Sequence, residues 1–254
     1  MKKHPPNTIS AVIIAKNEEV RIHECLSSLK WADEIIVVDN NSTDRTTEIA
    51  RTFGATVISS NATDFSVLRT QGLQAAKGVW ILYVDADEVV TKELELEILD
   101  LLQGWSRAVD STCYFISRKN YYFGVQRPVG DKMQRLFYKP AFVRWSGSLH
   151  ETAIVYGSYG SLRHELHHDT HRNLEEMVAK TNTWSDEEAR LRLISGHPTI
   201  APWRFLRVFV TGFIRSHIKE FGWMAGTHGW IESMYQGFSM VMTYIKLWEL
   251  QKKS

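Results

Sequence analysis

The first hundred residues alternate between short apolar runs and segments of helical periodicity, and this alternation limits the possible fold more than any other feature. The apolar runs, rich in β-branched residues, predict buried strands at 8–14, 34–38, 56–59 and 80–84. Apolar residues at helical spacing predict helices at 19–29, 42–53 (with Ser42 as N-cap), 65–77 and 91–103 (capped by Thr91). Strands and helices that alternate over short connections form βαβ units, so we expect an α/β fold with a parallel sheet.

The pattern changes in the second half of the chain. Three further strands are predicted at 112–118, 132–138 and 162–166. Because no helices separate them, we expect a mixed completion of the sheet. The chain becomes helical again from Arg172, and two last helices are predicted at 203–221 and 227–250. We therefore expect one α/β domain over residues 1–195 and a helical appendage over residues 196–254.

Composition and charge argue against several classes of protein. The net charge is +1, so nucleic acid is not expected as the main partner. Cys25 and Cys113 lie far apart and form no metal-binding or redox spacing, which fits a reducing, cytoplasmic setting. No apolar stretch directly follows Lys2 and Lys3, and no window reaches about 18 uncharged apolar residues. Neither a signal peptide nor a membrane-spanning helix is therefore expected.

The strongest chemical signal is the sequence Asp85-Ala86-Asp87-Glu88, directly after the strand predicted at 80–84. Carboxylates two residues apart at the carboxyl end of a parallel strand face the ligand crevice of an α/β sheet. Their oxygens suit Mg²⁺ or Mn²⁺, and such a metal can neutralise a diphosphate leaving group. The alternative is that Asp85 and Asp87 cap the helix that begins near Thr91.

Two more polar clusters follow the first and second predicted strands. They are Ala15-Lys16-Asn17-Glu18-Glu19 and Asp39-Asn40-Asn41-Ser42-Thr43-Asp44. An acidic residue at the end of the second strand, here Asp39, is where a Rossmann-like site binds a ribose or base. Each cluster taken singly could be a turn or a helix cap. Three polar clusters at one edge of a sheet favour a binding site.

In their order these motifs resemble those of the inverting family 2 glycosyltransferases. The matching segments are Ile13-Ile14-Ala15-Lys16-Asn17-Glu18-Glu19, Val37-Val38-Asp39-x-x-Ser42-x-Asp44-x-Thr46, Arg69, Asp85-Ala86-Asp87-Glu88, Trp145-x-Gly147-x-x-His150-Glu151 and His168-x-Thr170-x-Arg172. The resemblance runs over nearly the whole chain and is greatest to the bacterial branch that adds sugars to the lipopolysaccharide core. It implies the GT-A fold, a Rossmann-like mixed sheet flanked by helices, with the C-terminal helices as an appendage.

The resemblance also implies roles for individual residues. The residues implied in nucleotide binding are Ala15, Asn17, Glu18, Asp39, Arg69 and Asp85. Asp87 matches the direct ligand of a Mg²⁺ or Mn²⁺ ion. One mild departure from the family pattern is Gln71, where family members often have Asn two residues after the arginine.

The catalytic base has a weaker counterpart in this chain. An inverting transfer needs a carboxylate to take the proton of the acceptor hydroxyl. Many family members carry a pair of acidic residues in the second half, and no pair that fits is present here. We expect Glu151 to act as the base, with His150 orienting it or contacting phosphate. The alternative is a buried histidine beside a capping glutamate.

Four histidines, His164, His167, His168 and His171, lie near the strand predicted at 162–166. The pairs His164/His168 and His167/His171 have the H-x₃-H spacing of zinc ligands, but no Cys lies nearby and no H-E-x-x-H motif is present. On the family resemblance, His168 completes the metal or diphosphate shell. We expect His164 and His171 to be solvent-exposed.

The last quarter of the chain predicts a different kind of surface. Residues 196–254 carry seven Lys or Arg and three acidic residues, a local charge of +4. On the first of its two helices, Arg204, Arg207, Arg215 and Lys219 form a basic stripe beside apolar faces. Such a surface suits the interface of an anionic membrane, at the inner face of the cytoplasmic membrane. The alternative is that the apolar face packs on the rest of the chain or on a second subunit, so a homo-oligomer is also open.

These features together predict a metal-dependent glycosyltransferase. It would move a sugar from a nucleotide-diphosphate sugar, with UDP-sugars favoured, to a lipid-linked glycan such as the lipopolysaccharide core. One alternative is a sugar nucleotidyltransferase, which usually has a glycine-rich loop after the first strand, where this chain has no glycine. Another is a non-catalytic scaffold that binds nucleotide sugars. A dinucleotide dehydrogenase is not expected, because G-x-G-x-x-G is absent.

Overall fold

The computed structural model of the chain describes residues 7–106, 110–146, 152–171 and 173–253. These residues form two compact units. The first unit contains the described residues up to 119 and residues 131–168, and it holds most of the sheet. The second unit contains residues 120–130 and the described residues from 169 onward, and it is mainly helical.

Four parallel strands form the first half of the sheet. They are β1 (Ile9–Ala15), β2 (Glu34–Asp39), β3 (Thr56–Ser59) and β4 (Trp80–Asp85). Their order in the sheet is β3-β2-β1-β4. Every residue of β1 is buried, which explains why its sequence is a nearly continuous apolar run instead of an alternating one. The predicted strands and their parallel arrangement are confirmed.

Helices and one short strand connect and follow the parallel strands. They are α1 (Ile22–Ser27), α2 (Thr46–Thr52), α3 (Phe65–Ala75), β5 (Glu88–Val90) and α4 (Lys92–Gly104). Thr91 caps α4 as predicted, because its hydroxyl accepts the Leu94 N–H at 3.2 Å. The prediction that Ser42 caps α2 is wrong. That helix begins at Thr46, and the Ser42 hydroxyl accepts a hydrogen bond from the neighbouring loop instead.

The second half of the sheet is antiparallel. Its strands and those of a small separate sheet are β6 (Cys113–Tyr122), β7 (Val125–Gln126), β8 (Asp131–Tyr138), β9 (Phe142–Ser146), β10 (Thr152–Val155) and β11 (Tyr159–His171). The large sheet continues from β4 in the order β8-β6-β11-β5, and β7 forms a hairpin with β6. β9 and β10 pair only with each other among the described strands. The predicted mixed sheet is confirmed.

The parallel half of the sheet is covered by apolar residues on both faces. Ile9, Ala11 and Ile13 of β1 belong to one buried cluster, and Val12 and Ile14 belong to another. The division follows from the strand itself, because successive side chains point to opposite faces. The sheet is therefore the middle layer of the first unit, and a ligand can reach its parallel strands at their ends.

The second unit is built around three helices, α5 (Leu174–Ile194), α6 (Trp203–Ile214) and α7 (Gly226–Lys253). The helix predicted at 203–221 is regular only as far as Ile214 and continues as a π-helical turn over Arg215–Lys219. Because α5 groups with α6 and α7, this unit begins before residue 196. Within the described ranges, no helix has both the length and the apolar character needed to cross a membrane.

Two glycines allow α6 and α7 to approach each other closely. A Cβ atom on Gly212 would lie 2.9 Å from the carbonyl oxygen of Gln236 and 3.1 Å from Cα of Gly237. A Cβ atom on Gly237 would lie 2.9 Å from the carbonyl oxygen of Phe209. Any side chain at these positions would separate the backbones. The contact buries the side of α6 that carries Val208 and Gly212, and it leaves the other side of α6 exposed.

Candidate functional site

The carboxyl ends of β1, β2 and β4 meet at one edge of the sheet. The register pairs Ala15 of β1 with Asp39 of β2, and Ile14 of β1 with Asp85 of β4. The last residues of three parallel strands therefore stand side by side, at the position where open α/β sheets bind their ligands. Three of the residues predicted to bind nucleotide, Ala15, Asp39 and Asp85, are thus brought together.

Hydrogen bonds join the loop after β1 to the loop after β2, and we call this arrangement of residues 17–19 and 42–46 the loop clamp. The Asn17 N–H donates to Ser42 Oγ at 2.9 Å, and the Thr43 N–H donates to Asn17 Oδ1 at 2.8 Å. The Glu18 N–H donates to Thr46 Oγ1 at 2.8 Å. Asn17 has a φ of 55°, in the left-handed region that asparagine adopts more readily than most residues.

Asp44 and Glu19 add reciprocal bonds to the loop clamp. Asp44 Oδ2 accepts the Glu19 N–H at 3.0 Å, and Glu19 Oε2 accepts the Arg45 N–H at 3.0 Å. Asp44 Oδ1 accepts from the amide and the hydroxyl of Thr46 at 3.0 and 2.5 Å. Independent turns or caps do not account for bonds that run between the two loops. The clamp fixes the position of the predicted nucleotide-binding residues Asn17 and Glu18.

Asp39 presents a buried acceptor atom at this edge. Its side chain is 4% exposed, and its Oδ2 accepts the Ser42 N–H at 3.3 Å. Its Oδ1 is buried and accepts no hydrogen bond from any described residue. A buried oxygen without a donor is costly and calls for an explanation. A bound ligand with an N–H or O–H group, such as a base or a ribose, would supply the missing donor.

Six side chains of alternating charge form a row of successive ion pairs at the end of β4. We call this row the charge chain. In order they are Arg69, Asp85, Arg135, Glu88, Arg118 and Asp131. At its centre, Arg135 Nη2 lies 2.6 Å from Asp85 Oδ2 and 2.5 Å from Glu88 Oε1. Arg135 is 1% exposed and Glu88 is fully buried. Buried charges are stable only when each is paired, and each charge at this centre has an oppositely charged partner, although Arg135 Nε is buried without a hydrogen-bond partner among the described residues.

The outer members tie further elements to the centre of the charge chain. Arg118 Nη1 lies 3.1 Å from Glu88 Oε1, and its other nitrogens contact the Asp131 carboxylate at 2.9 and 2.5 Å. Arg118 and Asp131 are direct register partners on β6 and β8. At the other end, Arg69 Nη2 from α3 lies 3.4 Å from Asp85 Oδ1. The charge chain therefore links α3, β4, β5, β6 and β8.

The charge chain keeps Asp85 ionised. Burial alone would raise the pKa of Asp85, but the Arg135 and Arg69 guanidinium groups outweigh it and hold that pKa well below its ordinary value. Burial likewise disfavours the charged form of Arg135, yet Asp85 and Glu88 raise the pKa of Arg135 above its ordinary value. Both groups are therefore charged throughout the range in which the protein would work.

Arg69 packs beside two aromatic rings that contact each other. Its guanidinium carbon is 5.4 Å from the ring centroid of Tyr83 and 5.4 Å from that of Trp145. The Tyr83 hydroxyl donates to the Arg69 carbonyl oxygen at 2.8 Å. Cation–π contacts of this kind hold a guanidinium in place while its charge remains directed at the end of β4. A fixed cation at this position suits a diphosphate, and the family resemblance implies Arg69 in nucleotide binding.

Asp87 and His168 lie next to each other beside the charge chain. β11 pairs with β5 so that His168 is the register partner of Glu88, which brings the histidine beside the Asp85-Ala86-Asp87-Glu88 segment. His168 Nε2 is 3.2 Å from Asp87 Oδ2, and both side chains are at least 90% buried. The alternative in which Asp85 and Asp87 cap α4 is wrong, because Thr91 is the cap.

The spacing of Asp87 and His168 is compatible with a shared metal ion. Two ligand atoms that occupy neighbouring octahedral positions at about 2.1 Å from a metal lie about 3 Å apart. An imidazole nitrogen with a carboxylate oxygen suits Mn²⁺ or a similar ion, while Mg²⁺ prefers oxygen alone. Among the described residues, no cluster of three or more His, Cys, Asp or Glu could hold a metal. The substrate's phosphate oxygens and water would have to supply the remaining ligands.

The histidines with the H-x₃-H spacing of zinc ligands do not form a zinc site among the described residues. His164 and His168 lie on one strand, where four residues span about 13 Å, so H-x₃-H spacing cannot place two ligands on one ion as it does in a helix. His164 Nδ1 instead lies 2.9 Å from Glu97 Oε2 on α4, and His164 is exposed as expected. The side chain of His171 lies outside the described part of the structure.

Both predicted catalytic residues, His150 and Glu151, lie outside the described residues, as do Gly147 and Arg172 of the matching motifs. Their roles stay predictions. The preceding Trp145 is described, and its ring packs 5.1 Å from that of Tyr83, next to Arg69. The segment that leads to Glu151 therefore starts from the end of β4 at which the charge chain begins.

The sequence reasoning missed Arg135, Arg118 and the role of Glu88. Arg135 could have been noticed, because it precedes the buried Leu136 and Phe137 on β8, and a fully buried arginine needs a carboxylate partner. Its partners could not have been named. They depend on the pairing of β8 with β4, which joins residues about fifty positions apart.

The family of the chain follows from the site together with comparisons to known proteins. A family model described as glycosyl transferase family 2 matches residues 10–170. An uncharacterized glycosyltransferase of Rickettsia bellii is 30% identical over 264 residues, which cover 95% of this chain and 86% of the relative. This chain belongs to glycosyl transferase family 2, and the resemblance noted in the sequence is confirmed.

A second relative and a solved structure extend the comparison. The lipopolysaccharide core biosynthesis glycosyltransferase LpsC of Rhizobium meliloti is 24% identical over 259 residues, which cover 96% of this chain and 93% of LpsC. The crystal structure of S. aureus TarS 1-349 is similar with a TM-score of 0.50 at 14% identity, covering 97% of this chain and 91% of that chain. The likeness to TarS concerns the fold, and the predicted GT-A fold is confirmed.

The loop clamp predicts a pH-dependent contribution to stability from Asp44. Although partial burial opposes the shift, hydrogen bonds from Thr46 and from the Glu19 amide lower the pKa of Asp44 below its ordinary value of 3.8. A lowered carboxyl pKa stabilises the fold above the unfolded-state pKa, and that stability is lost as the pH falls through the folded-state pKa. Asp44→Asn should therefore destabilise by about 1 kcal/mol near neutral pH, with the difference shrinking below about pH 4.

Urea unfolding at several pH values measures this difference. Asp100→Asn, on the exposed side of α4, is the matched control and should leave the midpoint unchanged at every pH. A deficit for Asp44→Asn that stays constant down to acid pH would contradict the role given to its charge.

The charge chain predicts that loss of its central cation is severe. Arg135→Met removes the shared partner of the buried Glu88 carboxylate and the half-buried Asp85 carboxylate, and we expect destabilisation of about 3 to 5 kcal/mol. Arg45→Met removes an arginine whose side chain is 70% exposed and pairs with Glu48, so it should leave the unfolding midpoint unchanged. Equal midpoints for both variants in urea unfolding would rule out a structural role for the charge chain.

Proposed function

We propose that this glycosyltransferase transfers a sugar, with inversion, from a nucleotide-diphosphate sugar to a lipid-linked glycan, and that UDP-sugars are its donors. The observation that carries the proposal is the meeting of Asp39, Asp85 and the Asp87–His168 pair at the carboxyl edge of the parallel strands. The nucleoside, the diphosphate and its metal ion each have a proposed counterpart there. These are an acceptor for the base or ribose, a cation for the diphosphate and two ligands for a metal.

Asp39 binds the nucleoside in this proposal. Its Oδ1 needs a donor that the described residues do not provide, and the base or ribose of the donor has N–H and O–H groups to give. Ala15, Asn17 and Glu18 line the same edge and are fixed by the β1–β2 pairing and the loop clamp. They shape the space that the nucleoside enters.

Asp87 and His168 would hold Mg²⁺ or Mn²⁺ in this proposal. The bound metal would supply a positive charge to the diphosphate as it leaves the sugar. Arg69 would add a second positive charge, held beside the rings of Tyr83 and Trp145. Asp85, which stays ionised, orients Arg69 from the other side and can accept a hydrogen bond from a ribose hydroxyl or from a metal-bound water.

Glu151 is the proposed base. The acceptor hydroxyl oxygen forms a bond to the anomeric carbon as the bond from that carbon to the diphosphate oxygen breaks. The proton of the hydroxyl passes to the Glu151 carboxylate, and His150 orients that carboxylate. The proposal comes from the sequence motif that these residues share with the family, and from their position after Trp145.

A lipid-linked glycan, such as the lipopolysaccharide core, is the proposed acceptor. Support comes from the name of LpsC, a lipopolysaccharide core biosynthesis glycosyltransferase that this chain resembles over nearly its full length. The motifs shared with that bacterial branch point in the same direction.

The metal site predicts loss of donor binding in Asp87→Asn. Calorimetric titration of the purified protein with UDP should show binding that needs Mn²⁺, and Asp87→Asn should abolish the metal-dependent part. GDP is titrated in parallel, and Asp100→Asn serves as the control with an intact site. Binding of UDP that is equally tight without a divalent metal would contradict the role of Asp87, and a preference for GDP would contradict UDP-sugars as donors.

The assignment of Glu151 predicts that turnover and donor binding separate. Glu151→Gln should lower kcat by about 10²- to 10⁴-fold, while UDP binding with Mn²⁺ stays at the level of the unmodified protein. The matched control is Glu175→Gln, an exposed glutamate in the first turn of α5. Turnover of Glu151→Gln at the native rate would exclude this residue as the base.

A further inference from the structure

The helices of the second unit expose large apolar side chains together. Six of the most exposed are Leu206 of α6, Trp230 and Met234 of α7, and Ile218, Trp223 and Met224 of the segment that connects these helices; we call them the apolar surface of α6 and α7. Each of the six is at least 49% exposed. Isolated exposed apolar residues are ordinary, but a group of this size marks a site of contact with a partner.

The apolar surface exists because α6 is apolar on two sides. One side, with Val208 and Gly212, is buried against α7 through the glycine contact. The other side carries Leu206, which is 70% exposed. The contact with α7 therefore buries only one of the two apolar sides of α6. A helix that packed against α7 alone would need only one apolar side.

Aromatic contacts connect the exposed sides of α6 and α7. The Trp230 ring of α7 lies 5.5 Å from that of Phe213 and 4.4 Å from that of His217. Trp223 and Met224, in the connection between the helices, are 58% and 62% exposed. The apolar surface therefore continues from one helix to the other around their connection.

A basic row borders the apolar surface on α6. Arg207, Arg215 and Lys219 are exposed and lie at intervals of eight and four residues, so they follow one side of the helix and its π-helical turn. No acidic residue occurs from 203 to 219 in the sequence. Arg204, expected in the same stripe, is half-buried and contacts the Trp203 ring instead.

We propose that the apolar surface and basic row of α6 and α7 dock on the surface of an anionic lipid bilayer. Exposed Trp, Leu, Ile and Met can enter the boundary between headgroups and acyl chains, and tryptophan favours that depth. The basic row then lies at the level of the lipid phosphates, which supply the opposite charge. The contact proposed is with the surface of the bilayer.

The charges favour a bilayer over a second copy of the chain. In a two-fold symmetric dimer the same patch meets itself, so Arg207, Arg215 and Lys219 would be brought towards their own copies. Like charges that face each other across an interface are unfavourable. Glu220, which pairs with Arg215, is the one acidic residue of the sequence between 203 and 231. It cannot balance the whole row.

Sedimentation with lipid vesicles tests the apolar part. The full chain, with neither donor nor acceptor, is mixed with vesicles of equimolar phosphatidylcholine and phosphatidylglycerol, and the bound fraction is measured. Leu206→Ser/Ile218→Ser should bind at least about tenfold more weakly, because two inserted aliphatic side chains are lost. The matched control is Leu96→Ser/Val20→Ser, which changes side chains that are 55% and 64% exposed in the first unit, and it should bind like the unmodified protein.

A second pair of measurements tests the basic row. Arg207→Gln/Lys219→Gln should bind the phosphatidylglycerol vesicles more weakly by about fivefold per charge, and the unmodified protein should bind pure phosphatidylcholine vesicles more weakly than the mixed ones. Raising the salt concentration should reduce binding to the mixed vesicles. Binding that is equal on both kinds of vesicle and insensitive to salt overturns the role of the basic row.

Docking on the bilayer and binding of the donor nucleotide are tested separately. Calorimetric UDP titration with Mn²⁺ should give the same result for Leu206→Ser/Ile218→Ser as for the unmodified protein, which also shows that the variant is folded. If the unmodified protein does not bind the mixed vesicles, the proposal is wrong, whatever the outcome with UDP. If it sediments as a dimer that Leu206→Ser/Ile218→Ser dissociates, a second copy covers the surface instead.

Discussion

The buried charges at the end of β4 constrain this structure more than any other interaction. Arg135 is fully surrounded by protein, and it is stable there only because Asp85 and Glu88 lie within hydrogen-bond distance. Those three residues come from three different strands. The parallel half of the sheet, which could form from local βαβ units, is thereby joined to the antiparallel half at the edge where we propose that the donor binds.

The same arrangement separates the two aspartates of the Asp85-Ala86-Asp87-Glu88 segment by function. Asp85 belongs to the charge chain and is oriented by two guanidinium groups. Asp87 faces His168 across the β5–β11 pairing. The Asp85 carboxylate therefore belongs to a network of ion pairs, and the Asp87 carboxylate lies where it and His168 could bind the same metal ion. Two residues of the same type, two positions apart, have different neighbours because β4 ends at Asp85, whereas Asp87 lies in the turn that leads to β5.

The parallel half of the fold could be predicted from the sequence because its signals are local. A fully buried strand such as β1 appears as an apolar β-branched run, and Thr91 appears as a cap beside the helix that it caps. The polar clusters after β1, β2 and β4 could be placed at one edge of the sheet for the same reason, since their residues follow the strands directly. Ser42 was predicted incorrectly as a cap because its hydroxyl accepts a hydrogen bond from a loop twenty-five residues away. Rules for helix caps consider only neighbouring residues and could not predict that contact.

The charge chain, in contrast, could not have been assembled from the sequence. Its bonds depend on antiparallel register, and a shift of one residue in β8 would turn Arg135 to the other face of the sheet. The H-x₃-H spacing of the histidines does not produce a zinc site for a related reason. H-x₃-H brings two rings together on a helix, and the chain is a strand there.

The loop clamp has a consequence for the thermodynamics of donor binding. Hydrogen bonds within the chain hold residues 17–19 against residues 42–46, so in the proposed mode of donor binding the nucleoside meets loops whose conformational entropy is lost on folding. We therefore expect binding at this part of the proposed site to carry little ordering cost and to show a small heat capacity change, set mainly by the contact area.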